Sequence, residues 1–278
     1  MRYTMQMIAA VLLLMLGAQA WAQLEVRLDV PRKEHILGED VTIKITIVNH
    51  TDASIALTNT PGRSWLHLDV SRRGEMAPER ATAIPRYPDL TISPGSRRAY
   101  NIQLKPHYNL SREGIYHVIA TLRLPDMSTT YSSNVATFNL TSGGSMRSFV
   151  IQARGQKLQS SIKLLSWKGD TYLFGQVMNM DTRQAVGACY LGKFLNFMQP
   201  KVLLDRAQNL HVLCQSAPDY YTYAVMDTFG ARREAKLMKR TSGPIDLIST
   251  GGGIRCIGVA PYTKPKPDAQ LHSATERP

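Results

Sequence analysis

From Leu24 to Thr141, apolar and polar residues alternate with a period of two, and no stretch sustains a helical period. Leu24, Val26, Leu28 and Val30 alternate with Glu25, Arg27 and Asp29. After the Gly38-Glu39-Asp40 turn, Val41, Ile43, Ile45 and Ile47 alternate with Thr42, Lys44 and Thr46. The pattern returns at Leu66/Leu68/Val70, at Tyr100/Ile102/Leu104, along Tyr116 to Leu124, and at Ala136/Phe138/Leu140. Successive strand side chains point to opposite faces, so each run predicts a strand with one buried and one wet face. Pro61-Gly62, Ser93-Pro94-Gly95 and Pro125-Asp126 supply turns between them. About seven strands over ~120 residues predict a two-sheet antiparallel sandwich.

The second half carries three similar hairpin segments, Ile162 to Val177, Lys201 to Ser216 and Ile245 to Ala260, which start 39 and 44 residues apart. Each has an apolar strand, a polar or glycine turn and a second apolar strand. The turns fall at Trp167-Lys168-Gly169-Asp170, at Arg206-Ala207-Gln208-Asn209 and at Thr250-Gly251-Gly252-Gly253. Further strand-like runs lie between them, at Gly187 to Met198, Tyr220 to Met226 and Ala235 to Arg240. Two hairpins per roughly 40 residues is the arithmetic of a four-stranded blade.

Two resemblances follow. The run Ser111 to Leu124 (SREGIYHVIATLRL) resembles the corner and penultimate strand of bacterial immunoglobulin-like modules. That likeness implies that Tyr116 is a corner tyrosine, bonding upstream backbone while its ring fills the core, and that Gly114 lets the chain turn into the strand. Val118 stands where antibody domains carry a disulfide cysteine. The hairpin Leu203 to Val212 resembles β-propeller repeats, without any of the well-marked blade signatures. About two and a half blades cannot close a ring of four to eight. The expected second domain is therefore an open stack of sheets, a compact meander, or part of a ring completed by another subunit in a homo-oligomer. The whole is read as all-β, an immunoglobulin-like antiparallel sandwich (23–141), a Ser142-Gly143-Gly144-Ser145 linker (142–148), an antiparallel domain of blade-like hairpin repeats (149–261) and a disordered tail (262–278).

Residues 1–22 read as a signal peptide. The apolar run Met7 to Leu16 is short, and Ala20 and Ala22 occupy the small-residue positions before a cleavage after Ala22. The mature chain is expected to be exported, periplasmic or extracellular, without a transmembrane anchor. Charge is uneven: residues 23–141 hold 14 Lys+Arg against 12 Asp+Glu, residues 142–278 hold 18 against 9. A basic second half attracts an envelope protein or an acidic polymer; export makes nucleic acid an unsuitable partner. Cys189, Cys214 and Cys256 leave any disulfide pairing open, and their spacings of 25 and 42 match no zinc or haem pattern.

Chemistry is sparse. The seven histidines include no pair at helical metal-ligand spacing, and no Gly-x-Ser-x-Gly elbow is present. His67 and His117 fall on the wet faces of their strands. Tyr220, Tyr221 and Tyr223 suit either ring stacking or a core. One local cluster suits binding: Arg232, Arg233, Lys236, Lys239 and Arg240, five cations within nine residues. Alternation places Lys236 and Arg240 on one face and Lys239 on the other. The same charges also suit a solvated edge strand protected from aggregation. The expectation is a non-catalytic exported binding or assembly protein with no cofactor and no metal. The alternative is an inhibitor or accessory subunit of an exported hydrolase, presenting sandwich loops.

Overall fold

The computed structural model describes residues 24–75, 85–124 and 130–263. The expected signal peptide and residues 264–278 of the expected tail lie outside them. The described residues form strands and no helix, paired mainly antiparallel. The first ten strands are β1 (Leu24–Asp29), β2 (Glu34–Ile36), β3 (Thr42–Asn49), β4 (Ile55–Leu57), β5 (Leu66–Arg72), β6 (Leu90–Ile92), β7 (Arg97–Gln103), β8 (Gly114–Arg123), β9 (Thr130–Ser132) and β10 (Ala136–Thr141). They are followed by β11 (Gly144–Ala153), β12 (Gln156–Trp167), β13 (Asp170–Asn179), β14 (Ala185–Phe194), β15 (Lys201–Leu204), β16 (Leu210–Ala217), β17 (Tyr220–Met226), β18 (Arg232–Arg240), β19 (Asp246–Thr250), β20 (Gly253–Ile257) and β21 (Val259–Pro261).

The chain divides into two compact units. Of the described residues, one unit holds those from Leu24 to Pro31, within 42–108 and within 116–137; the other holds 32–41, 109–115 and 138–263. The expected single boundary after Thr141 is therefore a set of exchanges. The short loop that carries β2 belongs with the second half.

The first half pairs in three sheets: β1-β3-β7, β2-β10-β8-β5 with β9 on β8, and the small β4-β6 pair. The alternation read from the sequence decides the buried faces. Ile43, Ile45 and Ile47 of β3 are fully buried, as are Tyr116, Val118, Ala120 and Leu122 of β8. β2 runs parallel to β10, with His35 opposite Leu140. Gly114 opens β8 at φ +136°, a backbone geometry that favours glycine. The Tyr116 ring is fully buried. A long-range tyrosine-to-backbone tie is made by Tyr108, whose hydroxyl donates to the Leu68 carbonyl at 2.7 Å. Asn134 acts as a substitute ladder residue for β1: its Oδ1 accepts from Leu28 N at 2.9 Å and its Nδ2 donates to Leu28 O at 3.0 Å.

The second half stacks sheets in a propeller-like manner. β11-β12-β13-β14 form one meander, β15-β16-β17-β18-β21 a second sheet, and β19-β20 a separate hairpin. Between the first two sheets lies a core of Ile162, Leu173, Val177, Leu191, Val212, Cys214, Ala224 and Met226. The far face of the second sheet packs Leu213, Tyr221, Tyr223 and Met238 against Leu247 of the hairpin. The far face of the first sheet packs Leu165 and Phe174 against Ile36. The inner strands β13, β16 and β17 are thus covered on both faces, which explains why they read as apolar runs.

All three hairpins of the sequence exist: Leu164 faces Leu173, Val202 faces Val212, and Leu247 faces Cys256. They are not equivalent positions. The first is the central pair of its sheet, the second an edge pair, and the third stands apart. The expected linker at 142–148 is corrected: β11 begins at Gly144 and pairs with β12. Gly143 has φ +63°, and a Cβ there would lie 2.6 Å from Ile36 Cδ1 and 2.8 Å from Leu164 O. Its glycine serves a close approach, not flexibility.

Candidate functional site

The basic cluster lies on β18, which pairs with β17 so that Lys236 is opposite Tyr223 and Met238 opposite Tyr221. A register shift between Val225 and Met226 bulges the ladder at Arg233. Lys236, Met238 and Arg240 share the face of the buried Tyr221 and Tyr223, whereas Leu237 and Lys239 take the opposite face. Three of the five cations have internal work. Arg232 donates to the Tyr190 carbonyl at 3.2 Å. Arg233 Nε pairs with Asp227 Oδ2 at 2.7 Å. Asp227 is itself buried, and its Oδ1 accepts from Phe229 N and Ala231 N at 2.9 Å each. Arg233 therefore braces the turn between β17 and β18. Lys236 pairs with Glu234. Only Lys239 and Arg240 are exposed with neither an ionic partner nor a side-chain hydrogen bond among the described residues. The five charges form no single platform, and β18 is not a free edge along its whole length, since Met238, Lys239 and Arg240 pair with β21.

Asp205, His211 and Tyr223 form a polar chain at the second hairpin. His211 Nδ1 lies 2.7 Å from the Tyr223 hydroxyl and its Nε2 lies 3.2 Å from Asp205 Oδ2. Asp205 also accepts from Asn209 N and Nδ2, at 2.8 Å each. Burial pushes the Asp205 carboxyl up, but the Asn209 and His211 hydrogen bonds outweigh it and hold the group below its ordinary range. Burial, aided by Cys256, Glu234 and Asp205, pushes the Tyr223 hydroxyl up to about 12. His211 and Tyr223 are both buried, so the chain ties the turn Asp205–Asn209 to the sheet. Tyr221 is likewise a core residue, while Tyr220 packs edge-on against Tyr262 at 5.1 Å. This tyrosine run is mostly core.

The three cysteines are free thiols. Burial pushes Cys189 and Cys214 up to about 12 and Cys256 up to about 11. The thiolate is the nucleophile, so a thiol-specific chromogenic reagent at about pH 8 should titrate almost no sulfur in the folded protein. It should titrate all three thiols after denaturation. Rapid reaction of Cys214 in the native state would contradict its burial.

Two groupings were not visible in the sequence. Arg32, His35 and Glu39 meet in the β2 loop: Arg32 pairs with Glu39, and His35 Nδ1 lies 2.8 Å from Arg32 Nη2 and 3.5 Å from Glu39 Oε2. The second is a cleft of about 230 Å³ lined by Gly62, Arg63, Ser64, Leu66, His67, Leu68, Pro85 and Arg123. The β5–β8 ladder joins its halves, with Arg123 N donating to Trp65 O at 2.8 Å. Among the described residues no group of three or more His, Cys, Asp and Glu could hold a metal ion. Nor is any helix there long and apolar enough to cross a membrane. Compared with models of known protein families and with curated proteins, the chain matches none.

Proposed function

We propose that this chain is a non-catalytic, exported binding or assembly protein of the cell envelope. Its first half serves as an immunoglobulin-like sandwich. Its second half, an open stack of blade-like sheets, attaches to an acidic polymer or to the acidic surface of an envelope protein. One observation carries the reading: Lys239 and Arg240, at the end of a strand with five cations in nine residues, are exposed and have no ionic partner among the described residues. The polar groups that could do chemistry nearby are committed to structure, with His211 held between Asp205 and Tyr223 and Arg233 held on Asp227.

Residues 23–278 are expected to bind immobilised polyglutamate at low salt. Replacing Lys239 and Arg240 by Gln should weaken that binding about tenfold, since each exposed charge contributes up to roughly 1 kcal/mol. Replacing Arg232, Arg233 and Lys236 as well should add little. The control Arg97→Gln/Arg98→Gln removes two exposed charges from β7 and should change nothing. Equal losses in both double variants would reduce the effect to net charge and defeat the assignment to β18.

A further inference from the structure

We infer that the cleft between the Pro61-Gly62 turn and strand β5 binds a small oxyanion, either free or as the terminal group of a small molecule. Among the described residues its eight lining residues include two arginines, a histidine and a serine, and no carboxylate. Arg63 is set by a two-residue turn: Thr60 and Arg63 exchange backbone bonds of 3.0 Å each, and Gly62 takes φ +75° between them. Arg123 is set by its place in β8, beside Trp65. Neither guanidinium has a carboxylate partner among the described residues. Both arginines line the same cleft, like charges brought together repel, and an anion bound there offsets both. Guanidinium forks suit carboxylate, phosphate and sulfate oxygens.

A second observation is independent of charge. Ser64 Oγ is buried and has no hydrogen-bond partner among the described residues. Buried hydroxyls are satisfied in all but a few cases, so such a group marks a place where a bound atom completes the site. The volume of about 230 Å³ is below the usual range for drug-sized ligands, which excludes a polymer segment enclosed in the cleft. This site lies in the first half and stands apart from the reading of β18.

The test is an amide NMR titration of residues 23–278 with inorganic phosphate, with acetate, and with chloride at matched ionic strength. The Ser64, His67 and Arg123 amides should shift saturably with phosphate or acetate and not with chloride. The anion with the lower midpoint tells phosphate from carboxylate. Arg63→Gln/Arg123→Gln should raise the midpoint about tenfold or more. Ser64→Ala, a near-isosteric change that keeps the fold, should raise it about threefold. Lys239→Gln/Arg240→Gln should leave it unchanged. The inference fails if no amide saturates at concentrations that fill a site of about 1 mM dissociation constant. It fails equally if the midpoint in the arginine double variant or in Ser64→Ala matches the parent, with circular dichroism confirming that both are folded.

Discussion

Gly187→Ala should be among the most damaging single methyls that the second half can receive. A Cβ at Gly187 would overlap the Phe229 carbonyl oxygen and come within 3.3 Å of its carbon. The reverse holds across the same contact: at Gly230, where φ is +79°, a Cβ would overlap the Gly187 carbonyl and lie 2.8 Å from its Cα. Gly38 approaches the same strand, its Cβ position 2.8 Å from Ala185 Cβ and 3.3 Å from the Gly187 carbonyl carbon. Ala188 N closes this contact by donating to Gly38 O at 3.0 Å. Backbone atoms on both sides cannot swing away as a side-chain tip can. The loss for Gly187→Ala should be about 4 kcal/mol, above ordinary overpacking. For a protein of this size that is roughly 10 °C in Tm. Gly230→Ala should cost as much, because a left-handed backbone adds its own penalty. Gly175→Ala should cost less, since the nearest atom there is the end of the flexible Met226 side chain. Gly252→Ala, with nothing within 4 Å, should stay within about 0.5 kcal/mol of the parent. A thermal melt of Gly187→Ala indistinguishable from that of Gly252→Ala would disprove the close packing of β14 on the Phe229-Gly230 turn.

Those glycines show where sequence reading stops. Alternation at Ile43/Ile45/Ile47 and at Tyr116/Val118/Ala120 names the buried face of β3 and β8, because a strand's period is a local property. Hairpins were legible for the same reason. Lys168-Gly169 has φ +51° and +81°, the paired left-handed residues of a tight two-residue turn. Sheet membership is not local. Nothing in Ile162 to Val177 or Lys201 to Ser216 says that one is a central pair and the other an edge. Ser142-Gly143-Gly144-Ser145 read as flexible because a glycine forced by contact and a glycine left free are the same letter. On β18 the split of Lys236 and Arg240 from Lys239 followed from the period of two. The bonds of Arg232 to Tyr190 O and of Arg233 to Asp227 did not, since they depend on how β14 and the β17–β18 turn come together. Arg63 and Arg123 lie 60 residues apart and come to line one cleft only because β5 pairs with β8.

Glu39→Gln should cost about 3 kcal/mol at neutral pH and progressively less in acid. The Glu39 side chain is 11% exposed and that of Arg32 is 23% exposed, so the pair is largely out of water. Arg32 also lies 5.1 Å from the centre of the Phe174 ring, which buries part of its cation against the first sheet. Removing the carboxylate leaves that cation uncompensated, and the desolvation cost is no longer offset. Burial by itself pushes the Glu39 carboxyl up. Hydrogen bonds from His35 and Arg32, together with the Arg32 and His35 charges, outweigh burial and hold it below its ordinary 4.5. A carboxyl depressed by folding stabilises the native state fully above its unfolded pKa. That stability is lost as pH falls through the folded pKa. The gap between parent and Glu39→Gln in denaturant unfolding should therefore be widest near neutrality and begin to close below 4.5. Arg32→Met/Glu39→Leu should cost less than the two single changes added together, because each single change strands the partner's charge and the double change strands none. A gap that does not vary with pH, or single losses that simply add, would show that Arg32 and Glu39 do not act as a pair.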